Sequence, residues 1–466
     1  MSFFIFLYLY LQIIEISTKP LSFPFTTRRM NDNNVMKTLI NNDIYTYLYV
    51  GQNKQQMEMN IKSQKSSTFL LSTSCPDNTT AKKFDENKSN SYNIQFIRKQ
   101  YYMYEFKEAT LSGDNFIIKQ DDKEIEIKNL TFMLANTLWD GYQEYMGGMI
   151  GLKLQSKEDD QLNLPEKSNF INQLKANDLI QSYVFVLDYL SDDDGILYVG
   201  EYFETFKEGY SENDYISTKA GYEHFQLKNW EINIEKICAG NDVVQNKTYM
   251  QLFYELGIVA APVSYQVYIN ITFFKDYLKN GICQELLNME DIASFKKYYY
   301  IVCDKNNFDK SSFPKMKFYN REMNMNFTLT SEDLFYEHQN KVYFLIVFPV
   351  YGLTVEYWLM GKPLIKKYKL FLDKDKKEIG LYLNHSEMKD ERDPEPEPEE
   401  KGSYTGYIIV IVVLSIVLVV SVAAILYYFL VVKKSRKVRV YELEENVDYI
   451  AQKDKKEEED NKFAIN

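Results

Sequence analysis

The sequence predicts a mostly β protein of two lobes followed by one membrane-spanning helix, and three observations carry that expectation. From about residue 44 to residue 384, short runs of branched and aromatic residues alternate with polar turns, as in YTYLYVG, MEMNIK, EIEIKNLTF, SYVFVLDYL and GILYVGEYF. This is the period-two pattern of half-buried strands. The chain has 466 residues, with 39 Tyr and 30 Phe, which is long for one ordinary domain and rich enough in apolar bulk for a large core. Residues 408–432, IIVIVVLSIVLVVSVAAILYYFLVV, carry no charge over 25 positions. At about 1.5 Å rise per residue, such a helix crosses a hydrocarbon layer of roughly 30 Å.

Taken in chain order, the apolar stretch SFFIFLYLYLQII is too short to span a bilayer and reads as the core of a signal peptide over residues 1–17. Residues 18–43 are expected as a short leader, 44–165 as the first lobe and 166–384 as the second. Residues 385–406 contain DERDPEPEPEE, whose alternating Pro and Glu favour an extended, self-repelling stalk. The spanning helix is placed at 407–432. Lys433, Lys434, Arg436, Lys437 and Arg439 follow it directly, so the positive-inside rule puts the tail, 433–466, in the cytoplasm. That tail is charged and poor in apolar residues, and is expected to be disordered. The expectation is a type I single-pass protein of the secretory pathway or plasma membrane. Asn78, Asn87, Asn129, Asn246, Asn270, Asn326 and Asn384 each begin an Asn-x-Ser/Thr triplet, none lies in the tail, and all are candidate glycosylation sites.

Composition removes several functional classes. A net charge of −12 and a pI near 5.1 argue against a nucleic-acid groove, which needs clustered Lys and Arg. The three His and four Cys include no Cys-x-x-Cys and no His-Glu-x-x-His, so no metal or other cofactor is expected. Phosphate loops ending in Gly-Lys-Ser/Thr and Gly-x-Ser-x-Gly elbows are missing too. In an oxidising compartment the cysteines become readable as bridges. Cys283 and Cys303 close a loop whose restriction is worth about 3 kcal/mol, and that pair is expected; Cys75 and Cys238 are left equally open to bridging or to remaining thiols. Helical patterns are few: SNFINQLKAND, residues 264–278, and residues 285–298.

The order of short motifs resembles the pepsin-like eukaryotic aspartyl proteases from about Tyr45 to Leu383. YTYLYVGQNKQQMEMNIKSQKSSTFLLSTSC is similar to that family's opening strand, glycine-led turn and first active-site loop. YMYEFKEATLSGDNFIIK looks like its flap hairpin, with Tyr104 at the flap tyrosine, and MGGMIGL at 146–152 resembles its Asp-Gly-Ile-Leu-Gly-Leu strand. NFINQLKANDLIQSYVFVLDYLSDDDGILYVGEY is similar to the inter-lobe helix and following strands, and YWLMGKPLIKKYKLFLDKDKKEIGL to the closing strands. The resemblance implies a bilobal, pepsin-like acid protease fold with an inter-lobe cleft that takes a peptide or protein ligand.

Family chemistry rests on two carboxylates held about 3 Å apart so that they share one proton, the arrangement for which aspartic proteases are the standard illustration. Counting from Gly51 places the first at Lys62, and anchoring on Ser66-Ser67-Thr68 places it at Ser63; no Asp or Glu occurs between Glu58 and Asp77. Counting back from Ala261-Pro262 places the second at Phe253, and a two-residue deletion would place it at Glu255. The expectation is therefore a degenerate family member, with active endopeptidase as the alternative that family membership alone suggests. Lys62 and Glu255 are a candidate ion pair across the cleft. Asp114, Asp188 and Asp373 are read as turn or strand-end residues, and Gly147-Gly148 as close strand packing rather than a phosphate cradle.

Overall fold

A computed structural model describes residues 20–29, 34–76, 81–99, 106–138, 147–153, 168–211, 215–220, 230–288, 297–350 and 357–382. All of them fall in the compact unit Met1–Asp393. The expected signal peptide, stalk, spanning helix and tail lie outside the described residues, as do Tyr104, Asn78 and Asn384. Among the described residues, no helix is long and apolar enough to cross a membrane.

The chain opens with β1 (Leu21–Arg29), then a helix α1 (Val35–Ile40), β2 (Asn42–Val50), β3 (Gln55–Lys62) and β4 (Phe69–Leu71). Next come β5 (Asn93–Lys99), β6 (Phe106–Gln120), β7 (Lys123–Leu138) and β8 (Gly148–Gly151). Helix α2 (Phe170–Ala176) leads to β9 (Val184–Tyr189) and β10 (Asp194–Val199), and a short helix α3 (Phe203–Phe206) to β11 (Tyr215–Lys219). The alternation in the sequence is directly the alternation of burial: along β2, Ile44, Leu48 and Val50 are enclosed while Tyr47 faces out. Gly51 turns β2 into β3 at φ +74°, where a side chain would be strained and would also strike Ser89.

A second set follows: β12 (Glu231–Ala239), β13 (Asp242–Leu252), β14 (Val259–Ala260), β15 (Cys283–Asn288), β16 (Tyr298–Asp304), β17 (Met316–Asn320) and β18 (Met325–Leu329). Then come a short helix α4 (Ser331–Leu334), β19 (Phe335–His338), β20 (Lys341–Phe344), β21 (Ile346–Pro349) and β22 (Trp358–Met360). After α5 (Lys362–Ile365) the chain returns through β23 (Leu370–Asp373) and β24 (Glu378–Tyr382). Two sheets result. The first has the order β11-β24-β23-β9-β10-β1-β2-β3-β8-β4-β7-β6-β5, and the second the order β18-β17-β12-β13-β22-β14-β21-β16-β20-β19 with β15 added on β16.

Residues 18–43, expected as a leader, hold β1 and α1. β1 is an inner strand paired on one side with β10 and on the other with β2, and its Leu21, Phe23 and Phe25 are buried. Residues 168–199, beyond the expected lobe boundary at 165, join the first sheet: Asn169 Nδ2 donates to Ser66 O at 2.7 Å, and Phe170 meets Phe23 edge to face. The described residues of the stretch 285–298, where a helix was expected, are not helical. Gln284 to Asn288 pair residue by residue with β16, and Cys283 lies opposite Cys303, to which it is disulfide-bonded. The run Gln-Glu-Leu-Leu has good helix propensity, but the covalent cross-strand tie and the ladder fix it as a strand. Cys75 and Cys238 are in no disulfide. Helical turns over 263–279, by contrast, match the expected patch and include a π-helical turn at Asn270–Phe274.

Candidate functional site

The two sheets contain the same small construction. In the first lobe β3 runs parallel to β8, with Met59 beside Gly148 and Ile61 beside Ile150, and β4 runs antiparallel to β8 with Phe69 beside Met149. In the second, β13 runs parallel to β22, with Met250 beside Trp358 and Leu252 beside Met360, and β14 runs antiparallel to β22 with Ala260 beside Leu359. Ile61 thus matches Leu252, Phe69 matches Ala260, and the stretches between them are equal in length. The triplet Lys62-Ser63-Gln64 stands where Phe253-Tyr254-Glu255 stands in the other lobe. The glycines after β8 and β22 agree with this register. A Cβ on Gly151 would come 2.4 Å from Lys65 O, and one on Gly361 would come 2.2 Å from Leu256 O, which is the residue matching Lys65.

The two triplets meet. Ser63 is fully buried; its Oγ accepts from Tyr254 N–H at 3.3 Å and has Leu252 O at 3.2 Å and Glu255 Oε2 at 2.9 Å as acceptors for its one proton. Its backbone N–H also donates to Glu255 Oε2 at 3.3 Å, and Gln64 Nε2 donates to Leu252 O at 3.0 Å. Tyr254 cannot return the grip, because its hydroxyl sits at the far end of a ring. That hydroxyl is enclosed without a hydrogen-bond partner, and burial pushes its pKa well above the ordinary tyrosine value.

Lys62 does not reach Glu255. Its Nζ pairs with Asp43 Oδ1 at 2.8 Å, both side chains being largely covered. β2 lies beside β3 in the sheet and delivers Asp43 from the neighbouring strand, while Glu255 is already held by Ser63. Asp43 was not singled out by sequence reasoning, since it lies in the stretch expected as a leader. Nearby, Arg28 pairs with Glu58 and lies over the Tyr45 ring at 4.8 Å.

Lys62, Ser63, Phe253 and Glu255 are therefore brought together at the junction of the lobes. Tyr104 falls in the stretch 100–105, between β5 and β6 in the chain, and lies outside the described residues. Gly148 packs as a strand glycine, its missing side chain making room for Met59 Sδ and Phe69 O. Asp188 and Asp373 stand at the ends of β9 and β23, as expected, whereas Asp114 lies inside β6; all three are buried, Asp114 accepting from Ser91, Asp188 pairing with Lys207 and Lys369, and Asp373 accepting from Tyr202. Of the candidate glycosylation sites, Asn87, Asn129 and Asn246 are exposed, Asn270 is half-buried, and Asn326 is enclosed within β18.

No curated protein matches the chain. The model of one family, described as eukaryotic aspartyl protease, matches residues 44–383. That span runs from within β2 to the close of β24 and includes both matching triplets, and the chain belongs to the eukaryotic aspartyl protease family.

Proposed function

We propose that this chain is a membrane-anchored, catalytically silent member of its family, acting as a pseudoprotease whose inter-lobe groove binds a peptide or protein. The observation that carries the reading is the register of the two lobes, which sets Lys62 against Phe253 at matching positions. Neither side chain can share a proton with the other, so the paired acid and base needed to activate water and protonate the leaving amine are missing. The carboxylate nearest the junction, Glu255, is engaged by Ser63, and Asp43 is neutralised by Lys62. Anchoring rests on the uncharged run 408–432 and the basic residues after it.

The test is cleavage of a mixed peptide library by the purified chain from pH 3 to 7, with and without pepstatin. The expected result is no pepstatin-sensitive product from a sample that unfolds cooperatively. Pepstatin-sensitive cleavage would establish the alternative, an active aspartic endopeptidase processing lumenal or cell-surface proteins, and would require another pair of carboxylates.

A further inference from the structure

A cavity of about 440 Å³ opens where three short helices converge, with Leu39 on α1, Asp333 on α4 and Lys362 on α5 among the residues that line it. That volume falls in the roughly 300–1,000 Å³ range of small-molecule sites. Lys62, Ser63, Phe253 and Glu255 do not line it. Its wall divides by chemistry. Leu345 and Phe335, both buried, and half-buried Leu39 make an apolar side. The mouth carries Asp192, Glu332 and Lys366, whose side chains are well exposed. The covered end carries Asn42 and Lys362.

The backbone fixes these two residues on one side of the loop that follows β13. Asn42 lies opposite Arg29 in the β1–β2 ladder, and its N–H donates to Glu255 O at 3.1 Å. Lys362 N–H donates to Leu256 O at 2.7 Å, and Leu256 is the bridge partner of Asn41. The side-chain Nδ2 of Asn42 is enclosed and has no hydrogen-bond partner. Close to Asn42, the Tyr189 hydroxyl is enclosed and unpaired as well, and burial raises its pKa, so it stays protonated and able to donate. Lys362 Nζ lies over the Tyr189 ring at 5.9 Å and is 3.3 Å from Asp193 Oδ1, on a side chain that is itself partly exposed. Buried donors normally have acceptors. Here a neutral amide, a phenol and an ammonium gather at the covered end of a cavity whose remaining wall is apolar.

We propose that this cavity binds a small monocarboxylic acid with an apolar body. Its carboxylate accepts from Asn42 Nδ2 and Lys362 Nζ, a charge-assisted pair of bonds, and its body lies against Leu39, Leu345 and Phe335. The donor end repels a cation. The apolar side and the acids at Asp192, Glu332 and Asp333 disfavour a second negative charge on the ligand. The site does not depend on reading the groove as a peptide-binding site.

The test is isothermal titration of the whole chain with phenylpropionate and with butyrate, and with phenethylamine as the cationic counterpart. One phenylpropionate per chain is expected to bind saturably, butyrate more weakly because its apolar body is smaller, and the amine not at all. Asn42→Asp keeps the shape and backbone bonds of the residue but replaces the donor with a like charge. It should weaken phenylpropionate binding about tenfold or more. Lys362→Gln is the second variant should Asn42→Asp fail to fold, and the same loss is expected from it. Phenylpropionate should raise the unfolding temperature of the unmodified chain in a dose-dependent way and leave that of either variant nearly unmoved. No saturable binding of either acid to a cooperatively unfolding chain overturns the proposal and leaves the enclosed donors to solvent. Undiminished binding by both folded variants, or binding of the amine as tight as that of the acid, overturns it too.

Discussion

Lys62-Ser63-Gln64 and Phe253-Tyr254-Glu255 occupy matching places in the two lobes, yet they hold the junction in different ways. Ser63 carries a hydroxyl on its β-carbon and so touches the backbone of the opposite loop at both Leu252 and Tyr254. Tyr254 fills the matching position with a ring and leaves its own hydroxyl without a partner. The backbone register is thus shared while the side-chain roles have separated. A repeated frame constrains where a residue sits, not what it does there.

The lobes differ most in covalent reinforcement, since Cys283–Cys303 ties β15 to β16 in the second and the first has no disulfide among its described residues. Replacing both cysteines by serine should cost about 3 kcal/mol, read in denaturant titrations as a shift of the second-lobe signal; an unchanged midpoint would show that the ladder alone holds β15. Next in size is the asymmetry of the grip itself. Ser63→Ala strips partners from Glu255 and from Tyr254 N–H and should cost about 2 kcal/mol, whereas Tyr254→Phe removes an unsatisfied buried hydroxyl and should be neutral or stabilising. Equal losses from the two variants would break the comparison. Lys62→Met leaves Asp43 largely covered and without this ammonium, and about 1–2 kcal/mol should be lost; adding Asp43→Asn should recover part of it in a double-mutant cycle.

The smallest effect is electrostatic and lies on the acid side. In the second lobe, Lys305 and Lys310 hydrogen-bond Glu337 and hold its carboxyl below the usual range, and in the first Lys88 does the same for Asp85. A carboxyl whose folded value is lowered contributes stability above its ordinary pKa, about 4, and loses it as pH falls through the lowered value. Both side chains are solvent-accessible, so Glu337→Gln and Asp85→Asn should each flatten the acid limb of the stability profile only slightly. A steep dependence on either residue would mean that these pairs are far better shielded than their positions indicate.

Much of the fold was legible because strands buried on one face print their geometry on the sequence. β2 and β3 follow runs in which apolar residues alternate, β9 follows a continuous apolar run and is buried along nearly its whole length, and the helical patches at 170–176 and 263–279 follow wider spacing. The Cys283–Cys303 bridge was legible from the expected compartment and the interval between the two cysteines. What could not be read were interactions between distant segments. Gln284–Asn288 has helix-forming composition and becomes a strand because β16 lies beside it. Asp188 looks like a strand-end residue, and only the fold brings Lys207 and Lys369 to it from far along the chain. α1 did leave a signal, an Asn cap followed by apolar residues one turn apart, but it lay in a stretch assigned to the leader.

The sequence by itself determined the class of the protein: alternating hydrophobicity fixes β structure, and ordered motifs place it within a family. It also determined that no acidic residue is available between Glu58 and Asp77. Tertiary structure decided which groups face one another. Lys62 pairs with Asp43 because β2 and β3 are neighbours, Glu255 pairs with Ser63 because the lobes close on their matching loops, and Ile40 reaches Gly257 because α1 packs into a core cluster of the second lobe. Local pattern encodes which face of an element is apolar, whereas pairing across the chain depends on the packing of all elements at once.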